Sequence, residues 1–151
     1  MIVVVDNFFS SKQCLETILF YKKNTDLSYY YPTNNTFPLD LLKLLDHEIF
    51  DPFLLVDNFV KKFFKNIILS NLEIVRWVEG SQMNDHIDQG DKLGVFIYLN
   101  DNYQGGHLVI NETTIIKPQT GKLVFFKNGE LFHKVTKVST GNRFVLAGWY
   151  V

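Results

Sequence analysis

The chain has little that would tie it together or anchor it elsewhere. Of its 151 residues one is a cysteine, Cys14, which excludes an internal disulfide and suits a reducing compartment. Lysine and arginine number 15 against 16 acidic residues, a net charge of −1. A chain so balanced has no positive field with which to hold nucleic acid. There is no long apolar run. The opening Met1 to Asp6 stretch is apolar for only a few residues and has no basic lead-in, so it reads neither as a signal peptide nor as a membrane span. A cytoplasmic location is the expectation by default. Internal repeats, low-complexity tracts and linkers are also missing. What is present is 46% hydrophobic and 15% aromatic residues, the composition of a packed globule. The length fits a single domain over residues 1–151 with a core of its own.

Two periodicities divide the chain. Up to about residue 66 the pattern is largely helical, and from about 67 to 151 it is that of short strands. Ile2 to Val5 is a β-branched run, hence a strand. Ser10 is a good N-cap for a helix to about Lys23, with Cys14, Leu15, Ile18, Leu19 and Tyr21 as its apolar positions. Asn24 to Phe37, with its Tyr29-Tyr30-Tyr31 triplet, reads as a loop or irregular strand. Leu41, Leu42, Leu44, Leu45 and Ile49 predict a helix over residues 39–50, with His47 exposed on it among acidic neighbours. Asp51 as N-cap and Pro52 at the first position predict another, running to about Asn66. The period then becomes two, beginning with Leu72 to Val78. Helices first and many short strands later predict an α+β, mainly β protein of sandwich or jelly-roll type.

The residues that carry chemistry lie in the last third. His86 and Asp88 form a His-x-Asp pair, and on an extended strand their side chains share a face. An imidazole nitrogen and a carboxylate oxygen can then reach one metal ion. His133, from a distant strand, adds a third ligand and leaves the opposite side open. Two histidines and a carboxylate with open positions are the ligand set of non-haem Fe(II) oxygenases. Arg143 lies in an apolar strand running to Trp149, and a buried guanidinium needs an anion, which its planar fork grips best as a carboxylate.

The order of segments around these residues is distinctive. His86-Ile87-Asp88 is followed by a strand ending Tyr98-Leu99-Asn100, then by Gly105-Gly106-His107-Leu108. Pro118-Gln119-Thr120-Gly121 precedes the strand Leu123-Val124-Phe125-Phe126, and His133 and Arg143 follow. Over about residues 73–150 this resembles the 2-oxoglutarate and Fe(II)-dependent dioxygenases, in their prolyl 4-hydroxylase-like branch. The resemblance implies a double-stranded β-helix (jelly-roll) core with the N-terminal helices packed on one sheet. It implies Fe(II) held by His86, Asp88 and His133. It also implies 2-oxoglutarate as co-substrate, with its far carboxylate on Arg143 and on Tyr98, dioxygen as oxidant, and ascorbate as a reductant.

Other positions are open between roles. Tyr98 is either that co-substrate contact or a core aromatic. Trp149, six residues after Arg143, either lines the substrate entrance or fills the core. Trp77 stands where the family often has a tyrosine that holds the co-substrate, and Met83 where many prolyl hydroxylases have an aromatic residue. His107 stands where the family usually has a glutamate or similar polar residue, and reads as a surface or substrate-side residue. The resemblance implies a hydroxylase acting on a prolyl residue of a peptide or protein. The same chemistry on a small molecule, another side chain or a nucleobase is the alternative, and a non-catalytic cupin-like binding domain is the remote one. The Asn24 to Pro38 segment is the expected wall of a peptide groove.

Overall fold

The computed structural model describes residues 1–46 and 50–151. Two antiparallel sheets face each other. The larger, in spatial order, contains β1 (Ile2–Val5), β8 (Leu123–Phe126), β5 (Leu93–Tyr98), β10 (Arg143–Tyr150), β3 (Leu69–Trp77) and β2 (Thr36–Asp40). The smaller contains β4 (Met83–His86), β9 (His133–Val135), β6 (Leu108–Ile110) and β7 (Thr114–Ile116). The fold is the expected jelly roll, mainly β with few helices. The N-terminal part contributes both edge strands of the larger sheet, β1 on β8 and β2 on β3.

Side-chain alternation along the larger sheet builds two cores. Leu72, Ile74, Leu93, Val95, Ile97, Leu123, Phe125, Phe144 and Leu146 face outward and are covered by Cys14 and Tyr21 of α1 (Ser11–Lys23) and Phe53, Val56 and Val60 of α3 (Asp51–Val60). Val75, Trp77, Tyr98, Val124, Phe126 and Val145 face inward, against Leu108, Ile110 and Val135 of the smaller sheet. Full burial of one such side chain stabilises by about 1.5–3 kcal/mol. Asp57 of α3 is 3% exposed and fully met: it accepts from the Tyr150 hydroxyl at 2.9 Å and pairs with Lys61 at 2.6 Å. No described helix is long and apolar enough to cross a membrane.

Several local expectations are corrected. Ser10 caps α1 as expected, and does so in a reciprocal box with Gln13, but Leu15 and Leu19 are 56% and 45% exposed. The contact stripe runs through Cys14, Thr17 and Tyr21, and those leucines fall on its flank. Among the described residues the helix expected over 39–50 is a single turn, α2 (Leu41–Leu44), because Leu39 and Asp40 are held in β2 and Asp40 becomes its cap, accepting from the Lys43 amide. His47 and Ile49 lie outside the described residues. Phe50, not Asp51, is the N-cap of α3, and the helix stops at Val60. Beyond it Phe63 and Phe64 turn their rings onto Phe125, at 5.4 and 6.2 Å. The Asn24 to Phe37 segment holds a turn of 3-10 helix, Thr25–Leu27, and a tight hairpin in which Tyr31 and Thr36 exchange backbone hydrogen bonds.

Gly121 shows why the Pro-x-x-Gly turn is built as it is. Its φ is +82°, its carbonyl accepts from the amides of Phe8 and Phe9, and its amide donates to the Tyr98 carbonyl. A Cβ there would overlap the Phe9 carbonyl oxygen. Gly121→Ala is therefore expected to destabilise by more than about 1 kcal/mol, read as a lower denaturation midpoint at unchanged slope.

Candidate metal and anion site

A cleft of about 380 Å³ opens between the sheets. His86 ends β4 and His133 begins β9, and the two are directly opposed across that strand pair, with ring centroids 4.3 Å apart. Asp88 lies two residues past the end of β4, not on it. The strand thus ends before the carboxylate, yet the His86 and Asp88 side chains meet as expected of a His-x-Asp pair, and Asp88 reaches both rings. His86 Nε2 is 2.9 Å from Asp88 Oδ1, and His133 Nε2 is 3.6 Å from Oδ2. Ligand atoms of the three residues lie within 4.8 Å of one another, a group that could hold a metal ion.

The backbone sets both histidines for ligation. His86 Nδ1 is 2.8 Å from the Asn84 carbonyl and His133 Nδ1 is 3.0 Å from the Leu131 carbonyl. A carbonyl only accepts, so each Nδ1 carries a proton; each Nε2 faces Asp88, donating to it when protonated, and is the nitrogen whose lone pair would go to a metal in the cleft. Burial alone would raise the Asp88 carboxyl, but the hydrogen bonds from His133 and His86 hold it well below the usual carboxylate range. The hydrogen bond to Asp88 raises His86, against its partial burial. Trp149 adds a further contact: its indole N–H donates to Asp88 Oδ2 at 3.2 Å, and its ring meets Phe96 edge-on at 6.0 Å.

Arg143 lies at the other end of β10's inward face. It is 3% exposed, and its Nε and Nη1 have no hydrogen-bond partner among the described residues. Its guanidinium lies 4.6 Å from the Trp77 ring centroid and 5.4 Å from that of Tyr98. The Trp77 indole N–H and the hydroxyls of Tyr98 and Tyr103 are likewise buried and unpartnered. So many donors left together at a low-dielectric spot call for an anion with several oxygens. Asn100 holds Arg143 in place from both sides, donating to the Asn142 carbonyl and accepting from the Phe144 amide, each at 2.8 Å. Gly106 makes room: a Cβ there would lie 2.8 Å from Arg143 Cδ and 3.1 Å from the Tyr103 ring.

The cleft walls gather most of the residues picked out from the sequence. His86, Asp88, His133, Arg143, Trp77, Met83 and Trp149 all line it. Tyr98 is fully buried behind Arg143 and does not. His107 lies elsewhere: half-buried and outside the lining, its carbonyl accepts from the Thr136 amide and its amide donates to the Thr136 hydroxyl. Three residues were missed. Tyr103 carried no signal beyond its place ahead of Gly105-Gly106. Asn100 was read only as the end of a strand. Glu73 shares the parity of Val75 and Trp77, which would have marked it as inward.

The donor set fits a divalent metal, and the partnerless cationic end fits a carboxylate. Two outcomes follow. Trp149→Phe keeps the ring contact but removes the donor to Asp88, so the dissociation constant for Fe(II), measured anaerobically by calorimetry, should rise about ten- to a hundred-fold. A protonated imidazole cannot ligate, and His86 is held protonated to higher pH than an ordinary histidine. Metal affinity should therefore increase with pH through that raised value, and be at least about tenfold tighter at pH 8 than at pH 6.

Comparison with known proteins supplies the family. The model of the 2OG-Fe(II) oxygenase superfamily matches residues 72–151. A PKHD-type hydroxylase of Prochlorococcus marinus is 27% identical over 84% of this chain and 63% of its own length. The chain spans less than two thirds of the length of the curated relatives it matches. Among solved structures, the viral collagen prolyl hydroxylase of Paramecium bursaria Chlorella virus-1, in its 2OG complex, superposes with a TM-score of 0.77 at 15% identity, covering 99% of this chain and 94% of that one. A prolyl hydroxylase of Trichoplax adhaerens, in complex with a hypoxia-inducible-factor peptide fragment, gives 0.75 at 17% identity, covering 99% and 82%. At such identities the two structures share its fold, while the family pattern takes in more than half the sequence, including both histidines, the aspartate and the arginine of the cleft: the chain belongs to the 2OG-Fe(II) oxygenase superfamily.

Proposed function

We propose that this chain is a 2-oxoglutarate- and Fe(II)-dependent hydroxylase that oxidises a C–H bond of a prolyl residue in a peptide. The observation that carries the reading is the pairing, in one cleft, of a two-histidine, one-carboxylate group with a buried arginine that has no anion of its own.

His86, Asp88 and His133 hold the metal, with Asp88 oriented by Trp149 and both imidazoles by backbone carbonyls. Arg143 grips the far carboxylate of 2-oxoglutarate with its two free N–H edges, and Trp77 stacks on the guanidinium. With iron and co-substrate bound, the site supplies the oxidation, in which substrate C–H, dioxygen and 2-oxoglutarate become C–OH, succinate and carbon dioxide. Val75, Phe96, Leu108, Val135 and Val145 form apolar walls that keep water from the reacting centre. The peptide assignment is supported by the relatives: one solved neighbour is a collagen prolyl hydroxylase and another holds a peptide. Tyr29, Tyr31 and Pro38 line the open side of the cleft, where an extended chain would pass.

A panel of proline-containing peptides with Fe(II), 2-oxoglutarate and ascorbate, analysed for a gain of 16 mass units at proline, tests the substrate. Oxidation of another residue, or of none, would overturn the prolyl assignment. Arg143→Ala should leave metal affinity close to wild type and raise the KM for 2-oxoglutarate. A charge-assisted hydrogen bond contributes about 1.5–3 kcal/mol, hence about ten- to a hundred-fold. An unchanged KM would remove Arg143 as the anchor.

A further inference from the structure

The cleft has a second charged residue whose partner is missing. Glu73 lies on β3, opposite Ala147 of β10 on one side and Asp40 of β2 on the other. Its side chain shares the inward face with Asn71, Val75 and Trp77, and it lines the cleft between Trp77, which is opposite Arg143, and Asn71, which is opposite Trp149. It is 8% exposed. One carboxylate oxygen accepts from the Tyr29 hydroxyl at 2.9 Å, and no lysine, arginine or histidine among the described residues forms an ion pair with it.

This chain has another buried acid, and the contrast is informative. Asp57, inside the helix-covered core, has a lysine and a tyrosine to itself. Burying a carboxylate without a cation is costly, and a structural one is supplied with one. Glu73 is not, although a hydrophobic residue at this inward position would pack without penalty. Burial accordingly raises its pKa, helped by the nearby Asp40 charge, with hydrogen bonds from Tyr29 and Asn71 opposing. Arg143 is the one lysine or arginine in the lining, and it lies opposite Trp77, four residues along β3 from Glu73, while Asp91 is a further acid in the lining. The cleft is thus cationic where a co-substrate carboxylate would sit and acidic where its open side meets the Tyr29 to Pro38 wall.

We propose that Glu73 is a specificity-determining residue that pairs with a cationic group of the substrate, a lysine or arginine side chain near the residue that is oxidised. This rests on the assignment of the cleft as a hydroxylase site, and it narrows the substrate to a basic peptide. Tyr29 donates to one carboxylate oxygen and the Asn71 side chain lies beside the carboxylate, but both are neutral, so the charge is left for an incoming ammonium or guanidinium. Desolvation of that pair in the cleft makes it worth more than a surface ion pair.

Peptides of one length, each with a central proline flanked by lysine, arginine, norleucine or glutamate, provide the test. Binding to the Fe(II)- and 2-oxoglutarate-loaded protein is measured anaerobically, so that affinity is read apart from turnover. The lysine and arginine peptides should bind at least about tenfold more tightly than the norleucine peptide, and the glutamate peptide most weakly. In Glu73→Gln, with its folding checked by thermal unfolding, the preference should fall to within about twofold. Wild-type binding that ignores charge, or binds none of the peptides, overturns the inference. So does a preference that survives in the folded glutamine variant. If that variant does not fold, the wild-type comparison decides alone. Admitting air then separates the two readings. Charge-selective binding without oxidised proline leaves Glu73 as the cation site and overturns the prolyl assignment. Oxidised proline at equal rates from all four peptides, with charge-blind binding, does the reverse.

Discussion

The alternation of side chains along β10 is the constraint on which the rest of this structure depends. Arg143, Val145, Ala147 and Trp149 point into the cleft, and Phe144, Leu146 and Tyr150 point into the core beneath the helices. Because β10 is paired on both sides, with β3 and with β5, a slip of one residue would exchange the two sets at once. The arginine would then face a hydrocarbon core and the leucine and phenylalanine the cleft. Every backbone hydrogen bond of the two ladders therefore helps to keep the guanidinium and the indole where they are.

The cleft is an electrostatic arrangement as much as a shape. A buried arginine without an anion, three groups suited to a metal and a buried glutamate without a cation share it. Each would destabilise an apoprotein whose core had to contain it. They are tolerated because the outward core, with Phe53, Leu72, Ile74 and Phe125 fully buried, is large and apolar. The two jobs are separated by sheet face: one side holds the fold together, and the other holds unsatisfied charge.

Much of this was legible in the chain. The spacing from His86 through Asp88, Tyr98-Leu99-Asn100, Gly105-Gly106 and Pro118 to His133 and Arg143 is a linear record of turns and strands, and the structure explains several of its letters. Asn100 is there to bracket Arg143, Gly106 to clear space for it, and Gly121 to meet the Phe9 backbone. Helix ends and exposed faces were less legible. Leu15 and Leu19 fit a helical stripe as well as Cys14 does, and only the width of the sheet contact decides which of them is covered.

By itself the sequence determined the succession of short strands along the chain, the group of residues suited to a metal and the presence of an arginine with an unmet charge, because these rest on period-two alternation and on residue chemistry, both local properties. Tertiary structure decided what depends on chains far apart in sequence. It set His86 directly across from His133, brought Asp88 from beyond its strand within reach of both rings, and brought the Trp149 indole, 61 positions along the chain, to the same carboxylate. It also put Glu73 and Tyr29, 44 positions apart, together in the cleft wall. No local pattern encodes such meetings, since they exist only once the two sheets have closed on each other.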